Sequence, residues 1–105
     1  VFVNIAGGMA IDEPAADLAI VAAIASSVRN RVIAGTTAVF GEVGLAGEVR
    51  GVTQAGLRIR EAAQMGFTRC IMPEANIDPE DRIAGGNCEL VAVRSAGEAL
   101  DALLS

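Results

Sequence analysis

The chain has 105 residues, enough for one domain, with eight Lys plus Arg against 13 Asp plus Glu and a formal net charge of −5. That balance argues against a domain whose overall field grips nucleic acid. Every basic residue is an arginine, and the absence of Lys, His, Trp and Tyr removes the P-loop lysine, every histidine-based triad or dyad, the Ser-Lys dyad and most base-stacking platforms.

Taken in chain order, "VFVNIAGG" reads as a strand closed by Gly7 and Gly8, and "MAI" as a second short strand. "DEPAADLAIVAAIASSVRNR" reads as a helix capped by Asp12 or Glu13, with Pro14 in its first turn and Arg29 and Arg31 near its C-terminal end. Apolar residues occupy nearly every face from Leu18 to Val28, so burial on most sides is expected. "TTAVFGEV" is rich in strand formers and runs into "GEVGLAGEVRGV", where Gly41, Gly44 and Gly47 recur every third residue. This spacing is neither a Walker loop nor a dinucleotide fingerprint, and Glu42 and Glu48 would repel a pyrophosphate. On local chemistry it is a pair of short strands around a glycine-relieved turn.

From Ala55 the period changes to 3.6, with Ala55, Ile59, Ala62, Ala63 and Gly66 on one stripe. Gly66 suits a left-handed helix stop with Phe67 folding back. "TRCIMP" is a strand ended by Pro73, "EANIDPEDRIAGGN" a polar surface loop, and "CELVAV" a last strand. "SAGEALDALL" places Ser95 and Glu98 in capping-box spacing ahead of Ala96, Ala99, Leu100 and Leu103. The order predicts a single α/β (α+β) domain over residues 1–105, one small mixed sheet covered by helices. Cys70 and Cys88, 18 positions apart, are expected to be buried free thiols of a cytoplasmic protein. No apolar run reaches the ~18 residues of a membrane span, and no targeting segment is read. Starting at Val and not Met, the chain is expected to be a piece of something longer.

Serine and threonine (Ser26, Ser27, Thr36, Thr37, Thr53) have only carboxylates to turn to as a base. The acid pairs Asp12-Glu13 and Glu80-Asp81 read as solvated caps and loops. A carboxylate metal site from Asp78, Glu80 and Asp81 lacks the EF-hand pattern, and no metal or cofactor is assigned to the domain.

"FGEVGLAGEVRGV", followed by a helix and "GFTRCIMPEAN", resembles the proteolytic domain of the Lon family. It is more similar still to the C-terminal Lon-like domain of the RadA (Sms) family of bacterial DNA repair proteins. The resemblance runs through nearly the whole chain, with "GEVGLAGEVR" its most specific piece and "MPEAN" and "GEAL" in support. It implies a Lon-proteolytic-domain-like (ribosomal S5 domain 2-like) fold. Active Lon proteases carry the nucleophile in Asp-Gly-Pro-Ser-Ala-Gly; the matching residues here are Asp12-Glu13-Pro14-Ala15-Ala16-Asp17, with Ala15 at the serine. The matching lysine position is Gly56, and a shift of two residues offers Arg58. Arginine stays protonated, its pKa lying above ~12, and cannot serve as the base.

The resemblance therefore implies a pseudoprotease, not an enzyme by itself. It implies a ring-assembly scaffold within a hexamer whose other parts, a RecA-like ATPase using ATP and Mg and a zinc-binding segment, lie outside this chain. The full-length protein would bind single-stranded or branched DNA and drive branch migration in recombination. Arg29, Arg31, Arg58 and Arg60 are the candidate DNA contacts. The alternative is a peptide-binding or residual peptidase module of the Lon family, and no membrane partner is expected.

Overall fold

The computed structural model describes residues 14–78 and 88–104. The two N-terminal strand expectations, the capping role of Asp12 or Glu13, and Glu80 and Asp81 lie outside those residues.

Pro14 opens one 3-10 turn, Pro14–Ala16, which runs directly into helix α1, Asp17–Val28. Asp17 stands in the first turn, where a carboxylate suits the helix dipole. The helix ends three residues earlier than its composition suggests. Asn30 adopts a left-handed φ of 51°, and the Arg31 N–H folds back to the Ser26 carbonyl at 3.0 Å. Strands β1 (Thr37–Val39), β2 (Glu42–Val43) and β3 (Val49–Arg50) follow, then helix α2 (Ala55–Gln64) and strand β4 (Arg69–Pro73). A short 3-10 turn at Glu74–Asn76 precedes strand β5 (Glu89–Val93) and helix α3 (Ala96–Leu104).

β4 is the middle strand, pairing in parallel with β1 (Ala38↔Cys70) and with β5 (Ile71↔Val91). Parallel strands covered on both sides become continuously apolar, which is what "CIMP" and "LVAV" are. β2 and β3 form a separate antiparallel pair, with Glu42 opposite Arg50 and Val43 opposite Val49. The α/β architecture is thus as expected, with its parallel and antiparallel strands divided between two small sheets.

Alternation along the strands sorts the core into two layers. Ile71 and Val93 face Leu18 and Ala22 of α1 and Ala99 and Leu103 of α3, joined by Ile33 and Val49. Cys70, Met72 and Leu90 face the other way, onto Ala55 and Ile59 of α2, with Phe40 and Cys88. Helices α1 and α3 therefore pack on one face of the parallel sheet and α2 on the other. The α2 stripe read from the sequence is the buried stripe, and Gly66 stops the helix at φ 89° with the Phe67 N–H on the Ala62 carbonyl. At α3 the capping box forms with a variation: the Ser95 hydroxyl accepts the Glu98 N–H at 3.1 Å, while the Glu98 carboxylate accepts the Arg94 N–H at 2.6 Å, one residue ahead of the usual partner.

One expectation is overturned. α1 is not buried on most sides: Ile24 is 59% and Val28 80% exposed, and beyond the helix Val32 is 87% exposed. The buried positions Leu18, Ala19 and Ala22 cover only its inner face, because one sheet layer and one neighbouring helix cannot surround a cylinder.

Candidate functional site

Three hydrogen bonds lock the N-terminal end of α1 to the hairpin. The Gly41 N–H donates to the Ala15 carbonyl at 2.8 Å, the Leu18 N–H to the Gly41 carbonyl at 3.0 Å, and the Val43 N–H to the Asp17 carboxylate at 3.2 Å. The Val49 N–H reaches the Arg94 carbonyl at 2.9 Å, tying β3 to the start of α3. Gly41 is buried here, and an added Cβ would lie 3.1 Å from Val49 and 3.3 Å from Leu18, so a side chain would press into both.

Against this junction lies a small cavity of about 170 Å³, lined by Pro14, Ala15, Glu42, Gly51, Val52, Thr53 and Arg58. Its wall from Gly51 to Thr53 is held by Asn76. The Asn76 side chain accepts the Val52 N–H at 2.7 Å and donates to the Val52 carbonyl at 3.0 Å, acting as a one-residue substitute for a paired strand. Nothing in "MPEAN" beyond an amide side chain after a strand-ending proline signalled this role. Arg58 is folded back, its Nε donating to the Thr53 carbonyl at 3.1 Å.

α2 reaches this place because Gln54, the residue before it, takes a left-handed conformation at φ 58°, ψ 36° without any side-chain capping bond. The cavity therefore brings together the serine-matching position, Ala15, and one of the two α2 positions weighed against the lysine. It is Arg58 that lines it, while Gly56 is not among its lining residues. A buried methyl group cannot attack a carbonyl, and a guanidinium cannot take a proton from one that could. Thr53 and Glu42 share the cavity, placing one hydroxyl and one carboxylate there among the described residues. A volume of 170 Å³ falls below the roughly 300 Å³ at which ligand pockets begin.

The four arginines proposed for DNA do not gather into one patch. Arg58 stands beside the N-terminal end of α1, while Arg29 follows its C-terminal end, twelve residues or about 18 Å along the axis. Arg31 donates to the Leu104 carbonyl at 2.8 Å, neutralising the C-terminal end of α3, and Arg60 is exposed on α2. Arg50, Arg69 and Arg94 are engaged by Glu42, Glu48, Glu89, Glu74 and Glu98 at 3.0–4.0 Å.

Cys70 and Cys88 are both free and buried, as expected. Burial, and then the neighbouring Cys88, pushes the Cys70 thiol up to about 12, and burial also raises Cys88. Protonated and shielded thiols do not act as nucleophiles. Among the described residues no cluster of three or more His, Cys, Asp or Glu could hold a metal ion, and no helix is long and apolar enough to cross a membrane.

A family model described as subunit ChlI of Mg-chelatase matches residues 1–76. The chain belongs to the ChlI family. Beyond the family model, this ChlI-family chain is 47% identical over 103 residues to the DNA repair protein RadA of Pseudomonas aeruginosa, covering 98% of the chain and 22% of that protein. It is 46% identical over 99 residues to the DNA repair protein RadA of Bacillus subtilis, covering 94% of the chain and 21% of the relative. With the Escherichia coli protein of the same name the identity is 44% over 100 residues, or 95% and 21% of the two chains. The resemblance carried by "GEVGLAGEVR" thus extends over nearly all of the ChlI-family chain, which spans about a fifth of the length of these curated relatives.

Proposed function

We propose that this chain is a non-proteolytic Lon-like module of a RadA-type DNA repair protein, and that its work is to hold subunits in a ring. The whole protein would supply ATP hydrolysis and zinc binding from segments outside this chain, and would act on single-stranded or branched DNA. The family description names a Mg-chelatase subunit, but the RadA relatives match 94–98% of the chain, against residues 1–76 for the family model, and so weigh more. The observation that supports the non-proteolytic reading is the cavity that joins Ala15 to Arg58, since neither of those two side chains can act as nucleophile or base. What such a domain can still offer is surface. Ile24, Val28, Val32 and Leu45 stand exposed, the kind of apolar area that marks association.

Within a ring even one arginine per subunit forms a positive collar, and Arg60, exposed on α2, suits phosphate contact better than Arg31, which caps α3. The test combines two measurements on this chain: cleavage of an unfolded protein substrate, and sedimentation velocity over a wide concentration range. The expected result is no cleavage and a concentration-dependent hexamer. Cleavage abolished by Thr53→Ala would instead establish the residual peptidase, the second reading that the shared cavity of Thr53 and Glu42 keeps in play.

A further inference from the structure

Leu45 has no contact to hide it: it is 108% exposed at the tip of the β2–β3 hairpin. The turn that presents it is firmly built. The Gly44 N–H donates to the Glu48 carbonyl at 2.9 Å, the Gly47 N–H to the Gly44 carbonyl at 3.0 Å, and the Ala46 N–H to the Glu48 carboxylate at 3.1 Å. Gly47 supplies the φ of 82° that this closure needs. A leucine fixed in water by such a turn has already lost the freedom that binding would cost. Carboxylates flank it: Glu42 and Glu48 share the single guanidinium of Arg50, leaving an acidic excess.

At the other end of α1 the chemistry is reversed. A recess of about 260 Å³ is lined by Arg29, Arg31, Leu100, Asp101 and Leu104, with exposed Val28 and Val32 adjoining those arginines in sequence. It is of a size for one aliphatic side chain, small for a free ligand, and among the described residues two arginines and one aspartate line it, Arg31 also donating to the Leu104 carbonyl. Within one molecule the knob cannot reach it. The hairpin is bonded to Asp17 and Leu18, and the recess lies beyond Val28, the full length of α1 away.

We infer that Leu45 of one copy seats in the Arg29–Arg31–Leu100–Leu104 recess of the next, with the acidic hairpin against the basic rim. This rests on the ring reading above and names its contact. Two different, complementary surfaces at opposite ends of a protomer make a heterologous contact, which repeats head to tail and closes where the rotation allows. The occupant is a second copy because the acidic apolar knob and the basic apolar recess are carried by the same chain.

The test uses single and double cysteine variants, since Cys70 and Cys88 are buried. Under mild oxidation Leu45→Cys and Asp101→Cys chains are expected to cross-link when mixed, and the double variant to form a ladder, while neither single variant alone pairs. Leu45→Arg should weaken self-association about tenfold or more in sedimentation velocity, while Leu45→Met leaves it unchanged. A hexamer that persists in Leu45→Arg with no cross-link between positions 45 and 101 would sink this contact and spare the ring reading. Cross-linking of Asp101→Cys alone would replace it by a symmetric pairing. A wild-type chain that stays monomeric would remove both this contact and the ring role of the chain.

Discussion

The two ends of α1 carry opposite histories in their packing. At its N-terminal end Ala15, Asp17 and Leu18 are bonded to Gly41 and Val43, and a small cavity lined by Ala15, Thr53 and Arg58 lies against them. At its C-terminal end Ile24, Val28 and Val32 face solvent near Arg29 and Arg31. The contrast teaches that one end of a helix can be fixed by hydrogen bonds to its neighbours while the other leaves apolar surface uncovered. The hydrogen bonds made by the turn that carries Ala15 also anchor the hairpin, so that turn is held in place whatever side chain it bears. Binding capacity is then sought where apolar surface is left uncovered.

The comparison breaks most visibly under side-chain truncation. Leu18→Ala, at a position with no exposure, should cost about 3 kcal/mol in urea denaturation, whereas Val28→Ala, 80% exposed, should change monomer stability by less than about 0.5 kcal/mol. Equal effects would mean that the outer face is covered after all. The opposite layer of the sheet supplies an independent check through pH. Cys70 titrates at about 12 when folded against an ordinary 9.0, so its contribution is complete below about pH 9 and is lost as pH rises toward 12. With no Lys or Tyr in the chain, the fall in stability over that window reports on the thiols, and Cys70→Ala should flatten it.

Asp17→Ala removes the acceptor of the Val43 N–H and should lower stability by about 1–2 kcal/mol, sharpening the claim that this end is locked. The smallest change is a gain: Gln54→Gly should stabilise the chain by about 0.5 kcal/mol, relieving a left-handed φ of 58° at the entry to α2, where Gln54→Val should destabilise it.

Much of this architecture is legible in the residues themselves. The Ala55–Ile59–Ala62 stripe, the Gly66 stop, the Ser95–Glu98 box and the glycine-relieved hairpin are all local patterns, and local patterns report on local structure. What stayed hidden depends on distant partners or on backbone torsion. Arg31 looked like a helix-end cation for its own helix, yet it bonds a carbonyl 73 residues away. The division into two sheets turns on pairings between segments some 20–30 residues apart in sequence, which no window contains. Burial of Ile24 and Val28 was expected because apolar residues tend inward, but that rule runs one way only, and much of any folded surface remains apolar. At the cavity, counting matches Gly56 to the lysine and a two-residue shift offers Arg58; which of them reaches the lining depends on the turn made by Gln54, and it is Arg58 that does.

The packing of α1 against α3 also sets an order of events during synthesis. Leu18 and Ala22 share their cluster with Ala99, Leu103 and Leu104. A chain made from its N-terminus therefore carries an apolar helix whose inner face is only partly covered, by Ile33, Val49, Ile71 and Val93, until residues 99–104 have left the ribosome. Local helix formation in α1 can come early, but its burial must be among the last steps, and the nascent chain is most open to mispairing with a sister copy during that interval.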